Sequence, residues 1–199
     1  MKRVLVLFAH PAIHKSKVNL HLIKALNSLE HVTVHNLYET YPDFYIDIKQ
    51  EQELLTRHDI IIWQHPFYWY SAPAIIKEWL DLVLEHGFAY GHNGSALVGK
   101  TVLSVISTGG SRETYTKEGF NRYPITQYLL PFAQTAHLCD MTYLPPFVVH
   151  SSHLLTTEDI QNLSLSYREL VKALRDDLIP PESYKQLEYL NDYPLHLKT

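Results

Sequence analysis

The sequence predicts an α/β three-layer sandwich, with a five-stranded parallel sheet of order 2-1-3-4-5 and helices on both faces. Two observations carry that prediction. The apolar runs at 4–9, 59–64 and 101–107 are nearly continuous rather than alternating, the pattern of strands buried on both faces. Between them, apolar residues recur every three or four positions, so strand and helix alternate as βαβαβαβαβα. Such alternation implies right-handed crossovers over one parallel sheet. In this doubly wound order the ligand crevice lies outside the strand carboxyl ends.

Val4 to Ala9 is the first expected strand, and His10-Pro11 ends it. A helix follows from Ser16, with Val18, Leu22, Ala25, Leu26 and Leu29 on one face and Lys17, Lys24 and Asn27 elsewhere. Ser16 suits its N-cap, where a hydroxyl accepts an otherwise orphan backbone N–H. Val32 to Leu37 reads as the second strand. Residues 38–50, with Tyr38, Tyr41, Pro42, Asp43, Phe44 and Tyr45, read as an ordered aromatic loop, and a short helix from Gln50 to His58 comes next. Asp59 to Gln64 is the third strand, stopped by His65-Pro66-Phe67-Tyr68-Trp69-Tyr70. Pro73 fits the first turn of the next helix, where its missing N–H costs nothing. Ile75, Ile76, Trp79, Leu80 and Val83 form the apolar stripe of that helix.

Thr101 to Ser107 is the fourth strand and runs into Thr108-Gly109-Gly110. A less regular helix spans 122–137, with Pro131 either kinking it or starting a second piece. Met141 to Val149 includes the fifth strand, interrupted by Pro145-Pro146. The last helix is the best patterned, with Ile160, Leu163, Tyr167, Leu170, Val171 and Leu174 on one face. Residues 1–179 thus form one domain. Residues 180–199 form a tail of weak periodicity, expected to wrap the surface or reach a partner subunit. Glu51 with Glu53, and Asp176 with Asp177, read as solvated helix faces.

Composition narrows the function classes. At 199 residues and 46% hydrophobic, the chain can bury a core without disulfides. A net charge of -4 argues against general nucleic-acid or anionic-membrane binding. The single cysteine, Cys139, allows no intramolecular disulfide and suits a reducing compartment; in a core segment it reads as a small hydrophobe. The N-terminal apolar run is too short for a signal peptide, and no stretch approaches the ~20 apolar residues that span a bilayer. A cytoplasmic protein is expected, with room for docking on a membrane protein from the cytoplasmic side.

Three loops follow the first, third and fourth strands and should meet at one end of the sheet. The first carries His10, Ser16 and Asn19 into a helix N-terminus, whose N–H groups and dipole can seat a phosphate; a plain helix cap is the equal alternative. No Walker or dinucleotide fingerprint accompanies it. His10, His14 and His21 have no carboxylate or cysteine beside them, so no metal set is predicted. The second loop, Phe67 to Tyr70, offers stacking faces to a planar cofactor, with an aromatic core plug or dimer contact as the alternative. Thr108-Gly109-Gly110-Ser111 places glycines where backbone approaches something closely, and its N–H groups could line the electron-rich edge of such a ring; a tight turn is the simpler reading. No GxSxG elbow supports a hydrolase.

At these loops the sequence resembles the flavodoxin-like NAD(P)H:quinone oxidoreductase family. The matching segments are Ala9-His10-Pro11 with Ser16-Lys17-Val18-Asn19, Gln64 to Pro73 running into Lys77-Glu78-Trp79-Leu80-Asp81, and Thr108-Gly109-Gly110. Tyr41-Pro42-Asp43-Phe44, His86-Gly87-Phe88-Ala89-Tyr90-Gly91 and Leu144-Pro145-Pro146-Phe147 are similar to the ancillary flavoprotein subunits of glutathione-regulated potassium-efflux (Kef) systems. The resemblance implies FMN or FAD, NADH or NADPH as donor, a quinone or related electrophile as acceptor, a homodimer, and a potassium-efflux channel as partner. By position, it implies that His10, Ser16, Lys17, Val18 and Asn19 hold the flavin phosphate. Phe67, Tyr68, Trp69 and Tyr70 would pack on the ring, and Ser107, Thr108, Gly109 and Gly110 would line its pyrimidine edge. Tyr115 matches a catalytic tyrosine, while Asn121 stands where the quinone reductases carry a histidine.

Overall fold

The computed structural model describes residues 1–194; residues 195–199, the end of the expected tail, lie outside the described residues. β1 (Val4–Phe8), β2 (Val32–Asn36), β3 (Ile60–Pro66), β4 (Thr101–Ser107), β5 (Thr142–Tyr143) and β6 (Phe147–Val149) form one sheet in which every pairing is parallel. The order is β2-β1-β3-β4-β5, with β6 also pairing β4. β5 and β6 are the two halves of the expected fifth strand. β5 lies against Thr101-Val102 and β6 against Val105 to Ser107, with Leu144-Pro145-Pro146 between them. Proline has no N–H to give a ladder, so pairing lapses there and resumes.

Strand alternation sorts the core into two layers. Val4, Val6 and Phe8 face α1 (Lys17–Leu26) and α7 (Thr157–Arg175), meeting Leu22, Leu26, Tyr167 and Leu170. Leu5, Leu7 and Ala9 face the opposite layer with Ile61, Trp63, Ile76, Trp79 and Phe132. That layer holds α3 (Ile48–Arg57), α4 (Ala74–Val83) and α6 (Leu130–Leu138). A capping box between Thr156 and Asp159 starts α7. The expected helix at 122–137 is two pieces, α5 (Ile125–Tyr128) and α6, and Pro131 sits in the first turn of the second, where it costs no hydrogen bond. Cys139 is buried, which pushes its thiol up from the ordinary range.

Two expectations need correcting. The 38–50 segment is only partly loop: α2 (Leu37–Thr40) opens it, Tyr41 and Ile46 are buried, and Asp47 caps α3. Glu51 is on no solvated face. It is fully buried, its Oε1 accepting from the Tyr41 hydroxyl at 2.6 Å and His35 Nε2 at 2.7 Å, and its Oε2 from Trp79 Nε1 at 2.8 Å. Three donors from β2, the aromatic loop and α4 replace the water this carboxylate gives up. Asp176 is also partly covered, paired with Arg175 at 2.8 Å, whereas Asp177 is exposed beside Lys2.

Residues 180–194 wrap the surface. After α8 (Pro181–Tyr184), Tyr189 and Leu190 are buried, and the Leu190 N–H donates to the Pro146 carbonyl at 2.9 Å. Asn191 completes the attachment: its Oδ1 accepts the Val148 N–H at 2.8 Å and its Nδ2 donates to the Val148 carbonyl at 3.0 Å.

Candidate functional site

Parallel pairing brings the carboxyl ends of β1, β3, β4 and β6 to one edge of the sheet, and the loops leaving them meet there. In the first loop His10 is buried, and its Nδ1 accepts the Ala12 N–H at 3.1 Å. Burial pushes its pKa down, so the ring is neutral at pH 7. Ser16 caps α1: its Oγ accepts the Asn19 N–H at 3.3 Å and the Asn19 Nδ2–H at 3.0 Å. Among the described residues, the N–H groups of Lys17 and Val18 have no protein acceptor. The positive end of α1 therefore opens on a cleft of about 510 Å³ lined by His10, Ser16, Lys17, Ser107, Gly109 and Ser152. The Val18 side chain is buried beneath it, and exposed Lys15 and Lys17 add positive charge at its edge. Free N–H groups, a helix dipole and ammonium groups together favour a phosphate.

The second loop is held under strain. Phe67 is buried, and its N–H donates to the Ser107 carbonyl at 2.8 Å. A tight turn from Tyr68 to Ser71 then closes with the Ser71 N–H on the Tyr68 carbonyl at 3.0 Å. Its two central residues, Trp69 and Tyr70, have φ of 51° and 61°. That left-handed region suits Gly or Asn; a bulky residue there costs roughly 1–3 kcal/mol. Trp69 is nonetheless 92% exposed. Tyr70 is half-exposed and stacks on Tyr128 at 5.2 Å, so the exposed Trp69 ring is no part of a core plug.

The third loop is tied to the first. The Asn19 Nδ2 donates to the Ser107 Oγ at 2.8 Å, so one side chain bridges α1 and the end of β4. Thr108 Oγ1 donates to the Gly110 carbonyl at 2.8 Å. A Cβ on Gly110 would fall 2.7 Å from Thr114 Oγ1 and 3.0 Å from the Tyr115 ring, so the close approach expected of this glycine is real. A Cβ on Gly109 would meet nothing and would occupy the cleft itself. Among the described residues, the N–H groups of Gly109 and Gly110 find no protein acceptor.

A second cleft, of about 620 Å³, runs between Phe67 to Tyr70 on one side and Gly109, Gly110, Thr114, Tyr115, Phe120 and Asn121 on the other. Phe67, Tyr68 and Gly109 line both clefts, which therefore adjoin. Tyr115 is buried at the inner wall, and burial raises its hydroxyl, which stays protonated at neutral pH. Asn121 links the walls: its Oδ1 accepts from the Tyr70 hydroxyl and its Nδ2 donates to Thr114 Oγ1, both at 3.3 Å.

Eleven of the thirteen expected cofactor residues line the two adjoining clefts, as do Tyr115 and Asn121, whereas Asn19 and Thr108 are buried and line neither. This donor set fits a planar heteroaromatic cofactor carrying a phosphate. Sequence reasoning missed the loop after β6. Ser152 and His153 line the phosphate-compatible end, and the Ser151 and Ser152 N–H groups hold the carbonyls of Gly110 and Thr108 at 3.0 and 2.9 Å. Its position after the last strand was the available signal. Among the described residues, no group of three or more His, Cys, Asp or Glu side chains converges as metal ligands do.

Residues 2–173 match the family described as Flavodoxin-like fold. The Glutathione-regulated potassium-efflux system ancillary protein KefG of Serratia proteamaculans is 46% identical over 170 residues, covering 85% of this chain and 93% of that protein. Among solved structures, the general stress protein 14 of Treponema denticola in complex with FMN superposes with a TM-score of 0.83 at 36% identity, over 86% of this chain and 99% of that one. The NADPH-quinone reductase from P. pentosaceus gives a TM-score of 0.78 at 33% identity, over 84% of this chain and 96% of that one.

Proposed function

The chain belongs to the flavodoxin-like fold family, and from that premise we propose that it binds FMN and acts as an NAD(P)H-dependent oxidoreductase of quinone-reductase type, serving a glutathione-gated potassium-efflux system. The observation that carries this reading is that the two clefts adjoin across Phe67, Tyr68 and Gly109. FMN rather than FAD is favoured by the FMN complex of the T. denticola protein. When bound, FMN supplies two-electron, hydride-accepting chemistry.

The chain's own residues do the rest. Ser16, the Lys17 and Val18 N–H groups, Asn19 and neutral His10 bind the phosphate. Phe67 to Tyr70 would pack on the bound ring and keep water from it. The uncommitted N–H groups of Gly109 and Gly110 stand ready for negative charge that builds on the ring's pyrimidine edge, at no cost in reorganisation. Tyr115, buried and protonated, would donate its hydroxyl proton toward the reduced ring. NADH or NADPH and then a quinone or other electrophile use the open aromatic end in turn. Exposed Trp69 and Phe120 on its rim favour a homodimer in which a second subunit closes the cleft.

A second reading, a docking subunit with little catalysis, draws on Asn121 in place of the family's histidine. Among the described residues no helix is long and apolar enough to cross a membrane, so association with the efflux channel would run through a surface. Tyr41 is buried and cannot form that surface; Phe44, 37% exposed, and Tyr45, 86% exposed, can. Quinone turnover by the FMN-loaded protein, compared with free FMN, separates the two readings. A rate no higher than free FMN, with channel co-purification intact, would leave the docking role alone.

A further inference from the structure

The loop that carries Gly109 and Gly110 continues into a short 3-10 turn, Arg112–Thr114, and there it meets the C-terminal segment. The Arg112 guanidinium donates to both carboxylate oxygens of Asp192, at 3.2 and 2.9 Å, and to Glu188 at 3.4 Å. Its carbon sits 4.6 Å from the centroid of the Tyr189 ring. Tyr189 is buried and meets His150 edge-on at 5.6 Å. His150 in turn lies 5.9 Å from the Tyr115 ring, with its Nδ1 3.4 Å from Thr108 Oγ1. The segment is itself anchored on β6 by the Leu190 and Asn191 hydrogen bonds described above. Glu188, Tyr189, Leu190, Asn191 and Asp192 lie beyond residue 173, where the family match ends, while the groups they hold lie within it.

We propose that residues 188–192 are a strap that positions the Gly109–Gly110 loop for the flavin, with Glu188 and Asp192 acting on the cleft through Arg112. The proposal rests on the flavin reading. Gly109 and Gly110 have no side chain to pack, and the N–H groups they present to the cleft have no protein acceptor among the described residues. Their position must come from what surrounds them. On the inner side, Ser151 and Ser152 hold the loop's carbonyls; on the outer side, the strap holds Arg112. Exposed ion pairs alone fix little, since solvent and side-chain entropy offset them. Here the two-point grip on a planar guanidinium is backed by a buried ring, which limits where the arginine can go. A loop that spends only part of its time in the competent position binds its ligand more weakly by that fraction.

The test uses the full chain with Asp192→Asn and Glu188→Gln, singly and together, and Asp192→Glu as the conservative control. FMN affinity is read by quenching of flavin fluorescence, and the potential of the bound flavin by equilibration with a reference dye. Hydrogen exchange of the Thr114, Tyr115 and Asn121 amides is read without flavin. These three are bonded within the loop, so they report its order independently of any ligand. The double variant is expected to bind FMN about tenfold more weakly, to show a more negative flavin potential, and to exchange faster at those amides. Asp192→Glu should recover most of the affinity. Unchanged affinity and potential in a double variant that melts at the native temperature would overturn the strap, whether or not the loop exchanges faster. A native chain that takes up no FMN would overturn the flavin reading itself, before any variant is compared.

Discussion

Asn19 donates from its side-chain amide to the Ser107 hydroxyl at 2.8 Å, 88 residues away in sequence, and to Ser16 at 3.0 Å. One buried amide thereby sets the distance between the helix end that would take the phosphate and the strand end that leads to the glycines. Asn19→Ala leaves the Ser107 hydroxyl, buried from solvent, without that donor. The expected cost is about 1–3 kcal/mol in stability, with a larger loss of FMN affinity than stability alone explains. Urea unfolding and flavin titration on the same variant check both.

Glu51 is the buried anion of the opposite layer. Glu51→Ala strips Tyr41, His35 and Trp79 of their shared acceptor, and should cost about 3 kcal/mol or more. Tyr41→Phe removes one of the three bonds and should cost about 1–2 kcal/mol. Because Tyr41 is buried, the second variant should leave any association with an efflux channel intact, whereas Tyr45→Ala should weaken it. Thermal melts and co-purification from membranes measure the two effects separately.

Why Glu51 escaped the sequence is instructive. It lies on a polar helix beside Gln50, Gln52 and exposed Glu53, and nothing local distinguishes it. Its three partners come from β2, the aromatic loop and α4, so only the fold reveals the cavity that needs a carboxylate. The sheet was legible for the opposite reason: Val4 to Phe8, Ile60 to Trp63 and Val102 to Ile106 carry their burial in their own apolar runs. The three loops were legible because parallel strands send their carboxyl ends to one edge. The loop after β6 was not, since His150 to Leu155 holds no glycine pair and no aromatic run. The strap's grip on Arg112 likewise depends on single residues with no period to detect. Helix ends fell within a few residues of expectation, and the split at Pro131 followed from its missing N–H.

His65 predicts a pH effect. Complete burial lowers its pKa to about 4, from an ordinary value of 6.5. Its Nδ1–H donates to the Pro66 carbonyl at 3.0 Å, and Nε2 is buried without a partner among the described residues. The unfolded ring takes up a proton below 6.5 that the folded ring refuses. Stability is therefore full above that pH, falls as pH drops toward 4, and loses nothing more from this residue below it. The loss at pH 5 should be about 2 kcal/mol. His10, His58 and His150 are lowered in the same direction, burial being the main cause, and add to it. Denaturation midpoints from pH 7.5 to 5 should fall less steeply in His65→Gln than in the native chain.

Tyr115 should matter to turnover and little to folding. Its ring packs against Phe67 at 5.9 Å and Tyr128 at 6.3 Å, contacts that Tyr115→Phe keeps. The variant should melt within a few degrees of the native protein and hold FMN, while its quinone turnover falls by about tenfold to a hundredfold. Stopped-flow reduction by NADPH, followed by reoxidation with quinone, locates the affected half-reaction. Equal rates in both halves would remove Tyr115 from the chemistry.

The adjoining clefts are read as one flavin site, and a titration of flavin-free protein with FMN tests that most directly. Saturable quenching at one flavin per chain is expected. Asn19→Ala and Gly109→Ala should each weaken it, the first at the phosphate end and the second by placing a methyl group where the ring would lie. The bound flavin should then bleach with NADH or NADPH and recover colour with a quinone. Quenching absent at any concentration, or unaffected by both substitutions, would contradict the account and leave the cleft without a flavin.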